Sequence, residues 1–328
     1  MLKMKYLFDN RDLAEMLVKN WEYDTSSLDM FNYYRISSNA VYPFKCNGKT
    51  RLLRFSPVEE KIKSNLISEL DFIRYLRLNG YPALCTVASK NNQELLEIGT
   101  PWGDYFAVVF ERVAGIQLGE IDYNYDICRK HGKYLGKLHK LSSEYKPQTR
   151  PHWSYEDVLQ WIEKVLSNFK SEVKAMQEVR ELISYLSKLP KNHTTFGLIH
   201  YDFELDNIFY DQATDTLSVI DFDDAMYHWY AMDIEQALDS IMNEIPYDNY
   251  FVMKDIFIEG YKEEFYVSDD MLSYMPIFRR FANLYGYARM LLSISEVWDN
   301  EPKWLVDLRG KLILAMNQRS KSFGVKIV

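Results

Sequence analysis

Two segments in the first third of the chain carry apolar residues at three- and four-residue steps, the spacing of one helix face. The first covers residues 10–21, and the second covers residues 58–80. The second ends at Gly80 with Pro82 just beyond, which is a typical helix stop. The pattern therefore predicts a short helix followed by one long helix.

Strands are predicted around the long helix. Residues 33–56 favour a β-hairpin, because Asn47-Gly48 is a preferred two-residue turn and its flanks alternate or are rich in Val, Tyr and Leu. Residues 83–89 and 104–113 are further apolar runs typical of strands. The start of the chain is thus predicted to be rich in β-structure, with one long helix.

The pattern changes near residue 118, beyond which most segments have helical periodicity. The predicted helical segments are residues 125–143, 155–189, 231–243 and most of 249–318. Only residues 198–223 interrupt them, as a short loop and hairpin. We therefore predict an α+β fold of two lobes, a small β-rich N-lobe (1–112) and a larger, mainly helical C-lobe (113–328). A ligand is expected in the cleft between the lobes.

Composition narrows the class of protein. Of 328 residues, 47% are hydrophobic and 26% are charged, which is ordinary for a globular protein. The net charge of −8 argues against a duplex nucleic-acid binder, which needs a basic face. No run approaches the roughly 20 apolar residues of a membrane span.

Cysteine usage bears on the compartment. Cys46, Cys85 and Cys128 lie far apart and show no C-x-x-C spacing, so reduced thiols are expected rather than disulfides or a zinc site. The first residues become charged too early for a signal-peptide core. We expect a cytoplasmic protein that binds neither nucleic acid nor membrane. The oligomeric state has no signal in the sequence.

Acidic residues are concentrated in two short stretches, "HYDFELDN" at 200–207 and "IDFDD" at 220–224. Carboxylates that converge repel one another and are costly to bury, so a cation or a reaction is expected there. Asp202 and Asn207 share a tight polar loop, and Asp221 follows a β-branched run that fixes it at a strand end. Amide and carboxylate oxygens such as those of Asn207 and Asp221 suit Mg²⁺, which would leave Asp202 free of metal.

The order of these stretches resembles the aminoglycoside phosphotransferase and choline kinase superfamily, whose members are small-molecule relatives of protein kinases. The motif H-x-D-x-x-x-x-N falls on His200, Asp202 and Asn207, and "IDFDD" follows fourteen residues later. The resemblance implies a bilobal protein-kinase-like fold and ATP as the phosphoryl donor. It implies that Asp202 orients or deprotonates the acceptor hydroxyl, while Asn207 and Asp221 hold Mg²⁺ on ATP. His200 would brace the loop, and Asp233 would tie it down.

The same resemblance extends into the N-lobe. Arg54 stands after an apolar run where the superfamily has a basic residue, and it would grip the α- and β-phosphates. Glu69 on the next helix would pair with Arg54. Backbone groups of Phe110, Glu111 and Val113, at the connection between the lobes, would meet the adenine edge.

Three departures from the family pattern are visible. The turn that should cover the phosphates contains no glycine, so Ser37, Ser38 and Asn39 would supply amide and hydroxyl donors. Tyr201 stands where the family often has a small residue, and Glu204 stands where it often has histidine. Both changes lie beside the expected acceptor, so they bear on the substrate and not on the reaction class.

Several positions keep a second interpretation. Asp and Asn are common in turns, so the acidic stretches could be structural. Asp223 and Asp224 could be a solvated strand exit, ligands of a second metal ion, or partners of a cationic substrate. Residues 226–232 could form an aromatic cage for a cation, although such density is more often packing. His139 is expected to be a packing histidine.

These observations predict an ATP-dependent phosphotransferase that moves the γ-phosphoryl group to a hydroxyl of a small molecule. An aminoglycoside, choline or ethanolamine, and a homoserine-like compound remain open as acceptors, and the acids at 223 and 224 favour a cationic one. The alternative is a nucleotide-binding pseudokinase module without turnover, which the glycine-free turn alone supports.

Overall fold

The computed structural model describes residues 1–148 and 152–327, and these form a sheet-rich first part and a mainly helical second part. The strands are β1 Arg35–Ile36, β2 Ala40–Cys46, β3 Lys49–Pro57, β4 Cys85–Val87, β5 Leu96–Thr100, β6 Gly103–Glu111, β7 Ile116–Gln117, β8 Phe196–Ile199, β9 Ile208–Asp211, β10 Thr216–Val219 and β11 Met226–Trp229. The α-helices are α1 Arg11–Val18, α2 Lys63–Leu78, α3 Tyr125–Glu144, α4 Tyr155–Leu166, α5 Val173–Leu186, α6 Ala231–Glu244, α7 Tyr247–Lys262, α8 Asp269–Ser273, α9 Met275–Ser293 and α10 Lys303–Arg319. The predicted fold class, a small β-rich lobe followed by a larger helical lobe, is confirmed.

The N-lobe is built on an antiparallel sheet in the order β1-β2-β3-β6-β4, with β5 also paired to β6. The predicted hairpin is confirmed as β2 and β3, and its turn places Asn47 and Gly48 at φ 51° and 75°. Such left-handed values are why this residue pair suits the turn. Arg54 lies in β3 between Val41 and Val108, so the sheet fixes its position beside α2.

Close contact between α3 and α7 forms the centre of the C-lobe. A Cβ atom added at Gly132 would overlap the carbonyl oxygen of Phe257, and one added at Gly260 would overlap that of Arg129. The two helices therefore pack backbone to backbone only because these positions lack side chains. This packing places His139 of α3 next to Tyr261 of α7 in the core.

Two details differ from the sequence-based expectations. The helical run predicted at 155–189 is two helices, α4 and α5, and α4 starts at a capping box between Ser154 and Asp157. The aromatic segment at 226–232 contains β11, which pairs with β8. Its Trp229 and Tyr230 are buried in the core, so the segment serves packing and forms no open cage.

No described helix is long and apolar enough to cross a bilayer. Within the described residues the three cysteines are free thiols. The predicted lobe boundary near residue 112 falls between β6, which completes the first sheet, and β7, which pairs with β9 of the helical lobe.

Candidate active site

The loop between β8 and β9 carries the predicted catalytic residues, and the buried carboxylate of Asp233 binds its backbone. Asp233 of α6 accepts the backbone N–H of His200 at 2.8 Å and that of Tyr201 at 2.7 Å. Tyr201 has φ 72°, a left-handed conformation that is uncommon for a residue with a bulky side chain. This backbone conformation is strained for tyrosine, and the bond from Tyr201 to Asp233 holds it in place.

Asp233 is itself part of a buried network. His139 Nε2 lies 3.0 Å from its Oδ2 atom, and His139 Nδ1 lies 2.8 Å from the Tyr261 hydroxyl. Burial lowers the pKa of His139, although Asp233 opposes the shift, so this imidazole is neutral near pH 7. His139 is a hydrogen-bonded core histidine, and the network makes the catalytic loop a rigid element.

His200 joins the catalytic loop to the strand end that precedes Asp221. Its Nε2 atom lies 2.9 Å from the carbonyl oxygen of Ile220, and its Nδ1 atom accepts the backbone N–H of Asp202 at 3.2 Å. These partners assign a neutral ring protonated at Nε2. Burial lowers the pKa of His200, in keeping with that neutral form. His200 therefore holds two parts of the site together and has no proton to give to a substrate.

Asp202, Asn207 and Asp221 converge above this support. The Asn207 amide Nδ2 donates to the carbonyl oxygen and to Oδ2 of Asp202, both at 3.0 Å, so its own amide oxygen is available to a cation. Burial, followed by the nearby Glu204, raises the pKa of Asp202. Burial and the neighbouring Asp223 raise the pKa of Asp221 to about 6. Crowded buried acids of this kind are stabilised by a cation.

The residues present fit a divalent cation that keeps most of its shell in water and phosphate. Among the described residues no group of three His, Cys, Asp or Glu side chains could enclose a metal ion. Asn207 and Asp221 instead supply one amide oxygen and one carboxylate, and Asp221 at φ 62° is held in a left-handed conformation at its strand end. Mg²⁺ is commonly bound by one or two protein oxygens together with phosphates and water.

Arg54 and Glu69 form a bidentate ion pair inside the N-lobe, as the sequence suggested. The Arg54 NH1 and NH2 atoms donate to Glu69 Oε1 and Oε2 at 2.7 and 2.6 Å. Burial alone would lower the pKa of Arg54, but Glu69 outweighs it and raises that pKa, so the guanidinium stays charged. The Arg54 guanidinium also lies 4.8 Å from the centre of the Phe110 ring. Glu69 therefore fixes the Arg54 guanidinium at a position from which it interacts with Asp223 and Asp221.

Asp223 and Asp224 are both paired with cations, which the sequence did not reveal. Lys61 and the Asn39 amide donate to Asp223, and Arg289 of α9 donates to Asp224. Burial would raise the pKa of Asp223, yet Lys61 and Arg54 hold it below its usual value. Neither acid is a solvated strand exit, and neither offers an unpaired carboxylate to a cationic substrate. The lean toward a cationic acceptor that rested on them has no support here.

The glycine-free turn is tied to the opposite lobe. The Ser38 hydroxyl accepts from Arg289 NH2 at 3.0 Å, and Asn39 Nδ2 donates to Asp223 at 3.0 Å. The carbonyl oxygen of Ser37 accepts the Leu2 N–H at 2.9 Å. The Ser38 hydroxyl and the Asn39 side-chain amide are therefore occupied by protein partners across the cleft, whereas Ser37 contacts Leu2 within the N-lobe.

The predicted adenine contacts have different surroundings. Phe110 and Glu111 lie in β6 with β3 on one side and β4 on the other, so their backbone is inside the sheet. Val113 lies beyond the end of the strand and is half-buried. Of the three positions, Val113 is the one whose backbone lies outside the sheet and within reach of a ligand.

A rigid loop with a carboxylate in contact with an amide, near a second acid and a fixed arginine, is an arrangement that suits phosphoryl transfer by a kinase-like enzyme. By sequence, the chain belongs to the phosphotransferase enzyme family (APH), whose family model matches residues 36–262. The resemblance to small-molecule kinases is thereby confirmed, and the chain is a small-molecule phosphotransferase. A module without turnover is not favoured.

Individual relatives agree with this placement. Amicoumacin kinase of Bacillus subtilis (strain 168) is 24% identical over 296 residues, which cover 86% of this chain and 87% of that protein. The solved amicoumacin kinase hAmiN in complex with AMP-PNP, Ca²⁺ and Ami matches with a TM-score of 0.77 at 20% identity, covering 96% and 95% of the two chains. A microcompartment-associated aminopropanol kinase matches with a TM-score of 0.71 at 20% identity, covering 95% of each chain. The structural matches show that the fold is shared over nearly the whole length.

Proposed function

We propose that this phosphotransferase moves the γ-phosphoryl group of ATP to a hydroxyl group of a small molecule, with Mg²⁺ bound by Asn207 and Asp221. The single observation that supports it most is the arrangement of the catalytic loop. Asn207 donates its amide hydrogens to Asp202, which leaves the Asn207 amide oxygen for a metal, and Asp202 would then stay available to the acceptor proton. Amicoumacin kinase hAmiN was solved with AMP-PNP and Ca²⁺, which supports a nucleotide and a divalent cation here.

Asp202 is the group that would receive or orient the acceptor proton. Its pKa is raised by burial, so this carboxylate is a stronger base than one in water. Mg²⁺ would neutralise charge on the phosphates when it is bound. Arg54, fixed by Glu69, would contact the α- and β-phosphates, and little further chemistry is required because positioning and charge neutralisation dominate such reactions.

The nucleotide would lie between the lobes, with the adenine edge near Phe110, Glu111 and Val113. Ser37 and Ser38 would meet the phosphates, and Ser38 would do so after leaving Arg289. The free cysteines are in keeping with a cytoplasmic protein, which we include in the proposal.

ADP formation from ATP and Mg²⁺ over a panel of amines, sugars and amino alcohols tests the activity directly. We expect acceptor-dependent ADP formation by the wild-type protein. A panel without any acceptor-dependent turnover would contradict the proposed activity.

The metal assignment has a separate test. Asn207→Ala and Asp221→Asn should raise the Mg²⁺ concentration needed for tight ADP binding, measured by calorimetry, because each removes one metal ligand. Asp206→Asn is a matched control, since Asp206 lies in the same loop with an exposed side chain. Equal Mg²⁺ dependence in all three variants would show that the metal lies elsewhere.

A further inference from the structure

A cavity of about 340 Å³ lies between the segment before α2, helix α4 and helix α9, and residues 223–226, which follow Asp221 along the chain, form part of its wall. The residues that define its chemistry are Lys61, Trp161, Asp223, Asp224, Tyr285 and Arg289. Its volume is near the lower end of the roughly 300–1,000 Å³ of small-molecule pockets. The inference drawn from it rests on the proposed function and concerns the acceptor.

The cavity connects to the catalytic loop through aromatic contacts. The Tyr285 ring centre lies 5.4 Å from that of Tyr201, the residue directly before Asp202. Asp223 and Asp224, which line the cavity, follow Asp221 by two and three residues, so the cavity wall continues into the segment that carries the proposed metal ligand. A hydroxyl group of a molecule in this cavity would approach Asp202 past Tyr285 and Tyr201.

Charges in the cavity wall are balanced pair by pair. The lining contains the basic residues Lys3, Lys61 and Arg289 and the acidic residues Glu59, Glu60, Asp223 and Asp224. Every one of these acids already has a basic partner: the pairs are Glu59 with Lys5, Glu60 with Lys3, Asp223 with Lys61, and Asp224 with Arg289. A polycation would find each of these four carboxylates already paired with a basic side chain, and it brings no anion for the side chain that it displaces.

A zwitterion suits such a wall. When such a ligand enters an ion pair of the wall, its ammonium group pairs with the acid in place of the basic side chain. Its carboxylate pairs with that basic side chain in place of the acid, so that no charge is left buried and unpaired. Arg289 is the natural partner of the carboxylate. Its guanidinium has five N–H donors, and it uses NH1 for Asp224 and NH2 for Ser38.

Aromatic side chains form the apolar part of the wall. The Trp161 and Tyr285 rings meet edge to face with centres 5.8 Å apart, and both are half-buried. The Arg289 guanidinium lies 5.2 Å from the centre of the Tyr285 ring. Half-buried indole and phenol rings offer contact area to a flat or apolar group of a ligand.

We propose that this cavity is the acceptor pocket and that it takes a zwitterionic hydroxyl compound, with an ammonium group, a carboxylate and a flat apolar part, in preference to a polycation. Arg289 and Asp224 select the charge pattern, and Trp161 contacts the apolar part.

Matched acceptors test the charge pattern. Phenylalanyl-homoserine is a zwitterion, and the 3-hydroxypropylamide of phenylalanine is the same molecule without the carboxylate. Kanamycin serves as the polycation. At saturating ATP, the wild-type protein should use the dipeptide with a kcat/KM at least about tenfold above that of the amide, since one charge pair is at stake. A wild-type preference for kanamycin would overturn the proposal.

Variants locate the selecting residue. Arg289→Gln should lower the ratio of dipeptide to amide by about tenfold, because it leaves Asp224 unpaired and removes the partner of the carboxylate. Arg289→Lys keeps the charge and should keep the preference. Asp239→Asn is the control, since Asp239 pairs with Arg279 outside the cavity. If the ratio of dipeptide to amide kcat/KM changes in Asp239→Asn but not in Arg289→Gln, the acceptor binds elsewhere.

Trp161→Ala is a second, independent test of the pocket, which can be used if replacing the half-buried Arg289 unfolds the protein. It should weaken phenylalanyl-homoserine relative to alanyl-homoserine by about tenfold, as expected for the loss of one aromatic contact surface. An unchanged ratio would contradict the assignment of the cavity. Calorimetric binding of the dipeptides to Asp202→Asn needs no turnover. Failure of the pocket is therefore distinguished from failure of the phosphotransferase activity.

Discussion

The two sides of the cleft are held in different ways. On the C-lobe side, the loop at 200–207 rests on Asp233, His139 and Tyr261, all buried and all within one lobe. On the N-lobe side, the turn at 37–39 is held by bonds that reach across the cleft to Asp223 and Arg289. The first side is rigid before any ligand arrives, whereas the second is held by groups that a ligand would displace.

This difference has a functional consequence. A fixed catalytic loop keeps Asp202 and Asn207 in place without any cost when the substrates bind. A turn that is held by competing protein contacts can close over phosphates only when those contacts exchange for new ones. Affinity for the nucleotide should therefore depend on the turn, and the rate of transfer should depend on the loop.

Replacing Asp202 should have the largest effect on the rigid side. Asp202→Asn is expected to lower kcat by about 10² to 10⁴-fold, because the acceptor proton loses its base. The unfolding midpoint should not fall, since burial disfavours the carboxylate and the asparagine oxygen can still accept from Asn207 Nδ2. Asp206→Asn, in the same loop but exposed, should retain activity. Near wild-type turnover by Asp202→Asn would remove Asp202 from the reaction.

The support of the loop is the next target. Asp233→Asn keeps the shape but leaves one of the two backbone N–H groups of His200 and Tyr201 without its carboxylate oxygen. We expect a loss of about 1–3 kcal/mol in the free energy of unfolding, as for a buried hydrogen-bond partner, and a lower kcat with unchanged ADP affinity. Chemical denaturation and steady-state kinetics measure both quantities. A change in ADP affinity alone would mean that the loop and the turn are not separate.

Acid should loosen the C-lobe side first, because the buried histidines lie there. Burial lowers the pKa of His228 from 6.5 to about 3. Below pH 6.5, His228 therefore binds a proton in the unfolded chain but not in the folded chain, and the free energy of unfolding falls as the pH falls. At pH 5 this amounts to about 2 kcal/mol for one such group.

The contribution of His228 can be isolated by substitution. His228→Gln should reduce the slope of unfolding free energy against pH between 5 and 7, because the titrating group is gone. The exposed His193 provides the control, and His193→Gln should leave the slope unchanged. Equal slopes in wild type and His228→Gln would contradict the assignment of a buried neutral imidazole.

The smallest effect is expected on the turn. Ser38→Ala removes the hydroxyl that accepts a hydrogen bond from Arg289. When a phosphate binds, the hydrogen bond between Ser38 and Arg289 would be exchanged for one between Ser38 and the phosphate, so the net contribution of the hydroxyl is small. The dissociation constant of Mg²⁺·ADP should therefore change by less than about threefold, within the net value of one exchanged hydrogen bond. A tenfold loss of affinity would show that the hydroxyl binds phosphate without giving up a protein partner.

The same contrast explains what the sequence could predict. His200, Asp202, Asn207 and Asp221 fall within one short, ordered stretch, so their spacing along the chain carries the pattern. Arg54 and Glu69 are fifteen positions apart, and it is the resemblance to the superfamily, placed on a predicted strand and helix, that predicts their pairing.

The contacts of the turn at 37–39 cannot be predicted from a local sequence pattern. Asn39 and Asp223 are 184 positions apart, and Ser38 and Arg289 are 251 apart. Lys61 likewise reaches Asp223 only through the packing of the two lobes. No local periodicity or turn signal encodes a partner at such a distance. The sequence therefore leaves several interpretations of Asp223 and Asp224 open, whereas the fold pairs both with basic side chains.

A crystal structure with Mg²⁺ and a non-hydrolysable ATP analogue tests the central claim most directly. We predict that the metal is bound by the Asn207 amide oxygen and the Asp221 carboxylate, that Asp202 stays off the metal, and that Ser38 has left Arg289. The bonds of Asp233 to the catalytic loop should be unchanged. A metal bound through Asp202, or a ligand accommodated with the turn at 37–39 still tied to Arg289, would contradict the account.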